Sequence, residues 1–461
     1  MLSNTQSETN ATDLAYHLHS QTNPQALSRE GAYIVVKGDG THVIDENGKR
    51  YIDAMAGLWC ASLGFNNQRL GRAAATQYEE LGYYHSFYGR TNPKAANLSK
   101  KLVELTGMAG GKTFFVTSGS EANETMVKLA WLYHASRGKP TKRKIIARDR
   151  AFHGSTIVAG SMCGLEMMHR EFGLPLPGFI HTLCPNNYRV RLPGESEAEF
   201  VSRLAGELER MILREGPDTI AAFIAEPVIA GGGIIPPPAG YFEAVQKVLA
   251  KYDILCLDDE VVCGFGRTGN WFGRETVGMT PDMMSLAKGI TSSYFPLAAV
   301  VVSPKILEAV ERYNESGTSF GHGFTNAAHP VGAAVAAETI AIYEELDIVP
   351  HVRKIGARLH QKLAEVTKDS PIVGNLRGVG LMYGVELVED PSTGTPFAPA
   401  RQIGARLAAI AYENGLVVRA MRDTVGFCPP LIIDDNDVEE IGAKLQKALR
   451  ETEKAVQAKS I

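Results

Sequence analysis

Between residues 68 and 330, short apolar or β-branched runs alternate with helical stretches, and this alternation leaves few architectures open to the chain. Lys144–Ala147, Ile220–Ala225, Ile254–Leu257 and Ala298–Val302 each have the length of one buried strand, and Glu121–Ser136 and Tyr241–Tyr252 have the length of helices. Parallel strands need long crossovers, and helices supply them, so the pattern predicts an α/β fold with a largely parallel sheet.

The flanks read differently. Residues 32–54 alternate apolar and polar side chains around two turn signals, Gly38-Asp39-Gly40 and Glu46-Asn47-Gly48, the mark of a short antiparallel unit. After residue 330 come an Ala-rich helix, strands over Leu381–Leu387 and Leu416–Arg419, and a last helix following Asp434 or Asp435. That helix carries Val438, Ile441, Leu445 and Leu449 on one face. Leu192–Glu195 and Gly231–Gly240 read as loops. These textures divide the 461 residues into an N-terminal segment (1–67), a large unit (68–330) and a C-terminal unit (331–461).

With 44% hydrophobic and 21% charged residues the chain reads as globular, and at a formal net charge of -4 no basic surface dominates, so nucleic-acid binding is not indicated. No apolar run reaches the ~18–20 residues of a membrane span. Met1–Asn23 is polar and lacks the apolar core of a secretory signal, so a cytoplasmic location is expected. Cys60, Cys163, Cys184, Cys256, Cys263 and Cys428 form no C-x-x-C pair, which favours reduced, buried thiols over disulfides or a metal framework.

Five short stretches could carry chemistry. Ser118-Gly119-Ser120-Glu121 follows an apolar run and opens a helix, where free N–H groups and the helix dipole suit a phosphate or an ordinary helix cap. In Phe152-His153-Gly154 the aromatic ring could stack on a flat ligand, and His153 reads as a hydrogen-bonded structural histidine. Asp259 ends a buried strand, where ligands bind in open α/β sheets, with Asp258 and Glu260 as rivals on either side. Lys288 lies in the apolar run Met283–Ile290. A desolvated lysine loses its proton readily and suits a Schiff base. Finally, Gly264-Phe265-Gly266-Arg267-Thr268-Gly269 matches the dinucleotide fingerprint in letters only. It stands six residues beyond the strand, opens no obvious helix, and reads as a rigid loop at a site edge.

Together these motifs resemble the class III pyridoxal-phosphate-dependent aminotransferases of fold type I, in this order: Ser118-Gly119-Ser120-Glu121, Phe152-His153-Gly154, Glu226-Pro227, Asp259-Glu260-Val261, Gly264–Gly269, Lys288-Gly289 and His322-Gly323-Phe324-Thr325. The resemblance implies a large domain around a mainly parallel sheet and a smaller α+β domain built from both termini. It implies pyridoxal 5'-phosphate as cofactor, with Lys288 as its Schiff-base partner and Asp259 on its pyridine nitrogen. Ser118, Gly119 and Ser120 would hold the phosphate, Phe152 and Val261 would sandwich the ring, and His153 and Glu226 would lie beside the cofactor. Thr325 would reach the phosphate of a neighbouring subunit, making the protein a homodimer, or a tetramer, with shared active sites. Phe152 stands where the family usually has tyrosine, so a hydroxyl near the substrate is gone.

Local stretches are closer still to the ω-aminotransferases that use pyruvate. Met55–Cys60 looks like the segment that supplies a pocket-wall tryptophan, here Trp59, and His85–Tyr88 is similar to a second wall, here Phe87 and Tyr88. Val417–Ala420 matches the segment whose arginine, here Arg419, binds a substrate carboxylate, with Arg422 as the alternative. The expected activity is transfer of an amino group from a primary amine or ω-amino acid to pyruvate. A decarboxylase or aminomutase of the same fold, and a nicotinamide-dependent oxidoreductase using Gly264–Gly269, are the alternatives.

Overall fold

The computed structural model describes residues 7–458 except 316 and 318. The antiparallel unit expected over residues 32–54 forms as β1 (Val35–Asp39), β2 (His42–Asp45) and β3 (Arg50–Asp53). The large sheet has seven strands: β4 (Lys112–Val116), β5 (Lys144–Arg148), β6 (Phe179–Thr182), β7 (Ile220–Ala225), β8 (Leu255–Asp259), β9 (Met283–Leu286) and β10 (Ala298–Val302), in the order β4-β10-β9-β8-β7-β5-β6. Pairings among β6, β5, β7, β8 and β9 are parallel. Only β10 runs the other way, antiparallel to both β4 and β9. The strands β7, β8, β9 and β10 are buried along their whole length, which is why they read as continuous apolar runs.

The C-terminal sheet holds β11 (Val373–Val379) and β12 (Met382–Leu387). The single strand expected over Leu416–Arg419 is two. β13 (Leu416–Val417) joins the first sheet beside β3, and β14 (Arg419–Met421) joins β15 (Thr424–Phe427) in the C-terminal sheet. The two parts satisfy different partners: Val417 O accepts from Ala54 N–H, whereas Arg419 pairs with Gly426. The last helix, Asp435–Gln457, starts on a capping box at Asp434 and buries Val438, Ile441, Leu445 and Leu449. Among the described residues no helix is long and apolar enough to cross a membrane.

The loop Gly264–Gly269 does not shape the edge of the cavity described next. Arg267 is buried, and its Nη1 donates to Leu381 O at 3.1 Å and to Pro429 O at 2.5 Å, so the loop fastens the large sheet to the C-terminal part.

Candidate active site

The carboxyl ends of β4, β5, β7, β8 and β9 open onto one cavity of about 250 Å³. Ligands of open α/β sheets bind at such ends. Ser118, Gly119 and Ser120 follow β4, Phe152 and His153 follow β5, Glu226 follows β7, Asp259 ends β8 with Val261 just beyond, and Lys288 follows β9. All of these line the cavity. The reversed β10 starts at this same end, so Pro296 and Leu297, just before it, line the cavity too.

Strand pleating decides among the three consecutive acids. Neighbouring residues of a strand face opposite sides, and Asp259 faces the cavity while Asp258 turns into the protein. Burial and the nearby Glu260 hold the Asp258 carboxyl well above its usual range. Glu260 accepts from the N–H groups of Gly273 and Arg274 at 2.8 and 2.7 Å and caps a short helix there.

Asp259 is held on three sides. Its Oδ2 accepts from Asn123 Nδ2 at 2.7 Å and meets His153 Nδ1 at 2.8 Å, and its Oδ1 accepts from Val261 N–H at 3.1 Å. With the carboxylate as acceptor, His153 carries its proton on Nδ1, and its buried Nε2 has no partner among the described residues. Asn123 escaped the sequence reading as a site residue. It stands four residues after Gly119 on the helix Gly119–Ser136, hence on the same face, and that spacing was the available signal.

Ser118 is the N-cap of that helix, its hydroxyl accepting from Glu121 N–H at 3.2 Å. The cap and phosphate readings are therefore compatible, because the Gly119 and Ser120 N–H groups have no partner among the described residues at the positive end of the helix. Lys288 has φ +49°, a left-handed conformation that costs a non-glycine residue about 1–3 kcal/mol. Burial pulls its amine below the usual lysine range, with Asp259 opposing the shift. Glu226 accepts from Phe152 N–H at 3.1 Å and Ala230 N–H at 2.9 Å, and burial raises its carboxyl.

Other expected residues lie outside the lining. Trp59 is 6% exposed, in an apolar cluster with Val228, Ala230, Ile234 and Met421; Val262 packs against that cluster and does line the cavity. Arg419 shares a face of β14 with Met421, two residues on, and is half-buried with no ion-pair partner among the described residues. Arg422 is exposed at the turn between β14 and β15. Phe87, Tyr88 and Thr325 gather elsewhere. Phe87 lies against Gly323, Tyr88 is 88% exposed, and Thr325 O accepts from Tyr83 Oη at 2.8 Å.

The donor set fits pyridoxal phosphate. A carboxylate, a primary amine, free N–H groups at a helix start and two apolar flanks, Phe152 and Val261, line one cavity. Similarity to known proteins points the same way. The class-III aminotransferase family matches residues 26–449. The chain is 47% identical over 425 residues to gamma aminobutyrate transaminase 3, chloroplastic, of Solanum lycopersicum, covering 92% of this chain and 82% of that one. It is 45% identical to vanillin aminotransferase of Capsicum chinense, covering 92% of both. The crystal structure of the omega transaminase from Pseudomonas jessenii in complex with PMP matches with a TM-score of 0.95 at 45% identity, covering 97% of this chain and 98% of that one. The chain belongs to the class-III aminotransferases, and pyridoxal phosphate is its cofactor.

Proposed function

We propose that this class-III aminotransferase moves an amino group from a primary amine or ω-amino acid to pyruvate, giving alanine, in two half-reactions at one site. The observation that carries the reading is Asp259 and Lys288 facing one cavity beside a free helix N-terminus. Pyridoxal phosphate, when bound, supplies an aldehyde for amines and a ring that takes up the electrons of a breaking C–H bond. Asp259, oriented by Asn123 and His153, is the partner for the ring nitrogen. The N–H groups of Gly119 and Ser120 take the phosphate, and Phe152 and Val261 hold the ring between them. Lys288 anchors the cofactor between turnovers. Its Nζ is the base in the cavity that would hold and move a proton beside the substrate carbon in both half-reactions. Burial shifts that amine below the usual lysine range, the direction a base requires, with Asp259 opposing. Alternation of the two halves gives ping-pong kinetics.

Two features support a monocarboxylate acceptor. Among the described residues Lys288 is the only lysine or arginine lining the cavity, and Arg419, half-buried and with no ion-pair partner among them, suits a single carboxylate. A 2-oxo dicarboxylate would need a second cation. Trp59, behind Val262, walls the donor side in this reading and limits donor size.

The relatives' names span γ-aminobutyrate, an aromatic aldehyde's aminotransferase and an omega transaminase. The deciding experiment pairs β-alanine, 4-aminobutyrate, taurine and an arylalkyl amine with pyruvate or 2-oxoglutarate. Alanine formation with pyruvate is expected, and a strong preference for 2-oxoglutarate overturns the acceptor assignment. Carbon dioxide release, or turnover without an acceptor, points instead to a decarboxylase or a mutase.

A shared site belongs to the same proposal. Tyr78, Tyr83, Tyr84 and Tyr88 all expose aromatic surface, and Tyr83 bonds to Thr325. Such patches mark interfaces. A second copy would bring Thr325, Phe87 and Tyr88 to the cavity of its partner. Light scattering should show a dimer or tetramer, and a fully active monomer would exclude sharing.

A further inference from the structure

The turn that carries Trp59 has an uncommon backbone. Ala56 (φ +47°) and Trp59 (φ +66°) are left-handed, and Gly57 (φ 65°, ψ -98°) takes a conformation suited to glycine alone. Asp53, at the end of β3, holds this turn. Its Oδ1 accepts from Met55 N–H at 2.7 Å and its Oδ2 from Gly57 N–H at 3.0 Å. Trp59 N–H in turn donates to Met55 O at 2.9 Å, so the residue anchored by Asp53 is the one that seats the tryptophan.

Asp53 is 4% exposed and has no ion-pair partner among the described residues. Burial lifts its carboxyl to about 6, with the two N–H bonds opposing the shift. A buried acid without a cation is unfavourable for folding, which suggests that it is kept for what it organises. Asp53 also stands in register with Val417 of β13, two residues before Arg419, so one strand end adjoins both the Trp59 turn and the segment of Arg419.

We propose that Asp53 is a positioning residue for donor size: its carboxylate fixes the Met55–Trp59 turn and thereby sets the Trp59 indole as a wall of the donor pocket. The proposal deepens the reading above, in which Trp59 limits the donor, and rests on it.

The test uses the holoenzymes of the wild type, Asp53→Asn, Asp53→Ala, Gly57→Ala, Trp59→Gly and the Asp53→Ala/Trp59→Gly double variant. For each, kcat and KM are measured with 4-aminobutyrate and with a bulky arylalkyl amine, pyruvate being saturating. Asp53→Ala removes both bonds to the turn and should raise KM for the small donor by at least about tenfold, the size of a single hydrogen bond to a charged group. The bulky-to-small ratio of kcat/KM should move toward the bulky donor, with the cofactor absorbance unchanged. Asp53→Asn keeps one acceptor oxygen and should recover part of the loss. In the Trp59→Gly background Asp53→Ala should add nothing.

Trp59→Gly with an unchanged ratio overturns the reading of Trp59 as a wall. A shift with Trp59→Gly but none with Asp53→Ala overturns the positioning role alone, as do additive effects in the double variant. Should Asp53→Ala not fold, Gly57→Ala decides. Its Cβ would meet only the Phe65 ring at 3.6 Å and Cys60 Sγ at 4.0 Å, so it strains the turn without a clash. The same shift supports the proposal, and an unchanged ratio overturns it.

Discussion

His153 Nδ1 lies 2.8 Å from Asp259 Oδ2, with both side chains almost wholly shielded from water, and Asn123 donates to that same oxygen. Two donors on one oxygen fix the rotation of the carboxylate as well as its place. Asn123→Ala and His153→Phe should each lower kcat by roughly 10–100-fold, the equivalent of about 1.5–3 kcal/mol for a hydrogen bond to a charged group. Because they share an acceptor, the double variant should fall short of the sum by more than about 0.5 kcal/mol. Steady-state rates and the cofactor's visible spectrum check this, and strict additivity would refute the shared role.

Lys288→Ala should abolish turnover and remove the visible band of the lysine-bound cofactor. Full activity in this variant would end the proposed mechanism. Stopped-flow absorbance with the donor alone separates loss of chemistry from loss of binding.

Gly119→Ala tests the phosphate end without touching a charge. A Cβ there would stand 3.0 and 3.1 Å from the two γ-carbons of Val261, one of the two flanks proposed for the ring. Cofactor affinity should fall about tenfold, typical of overpacking by 1–3 kcal/mol. Val261→Ala in the same chain should restore much of it by making room. Equilibrium dialysis of the cofactor gives the numbers.

Arg419→Met should raise the KM for pyruvate by roughly 10–100-fold, the effect of one charge-assisted hydrogen bond. The half-reaction with an arylalkyl amine, which has no carboxylate, should change little. Equal losses in both half-reactions would assign Arg419 a structural task.

His134 predicts an acid limit to stability. It sits on the buried face of the helix Gly119–Ser136, with Nε2 against Ala221 O at 2.9 Å, and burial lowers its pKa to about 4. The unfolded chain therefore takes up a proton near pH 6.5 that the folded chain refuses until about pH 4. Stability should fall across that window by up to roughly 3 kcal/mol. His134→Gln should flatten this part of the pH profile in urea titrations, and an unchanged slope would assign it to other groups.

Much of this site was legible in the sequence because strand ends and helix starts are local events. Ser118–Ser120, Phe152, Glu226, Asp259 and Lys288 each follow an apolar run that could be recognised alone, and the sheet brings them together. What stayed hidden depends on pairing across the chain. Trp59 and Arg419 are about 360 positions apart, and the β3–β13 pairing that relates them rests on two residues of a strand broken at Val418. The antiparallel turn of β10 was equally silent, since a strand buried on both faces reads the same in either direction. Asp258, Asp259 and Glu260 were equivalent as letters, and only the pleat distinguishes them.

The buried guanidinium of Arg267 bears on how the molecule can move. It bridges the loop after β8 to the carbonyls of Leu381 and Pro429. A hinge opening there would have to break both hydrogen bonds of this buried cation. Any separation of the large sheet from the C-terminal part must therefore lose both at once, so Arg267 ties together the frame that stands behind the cofactor.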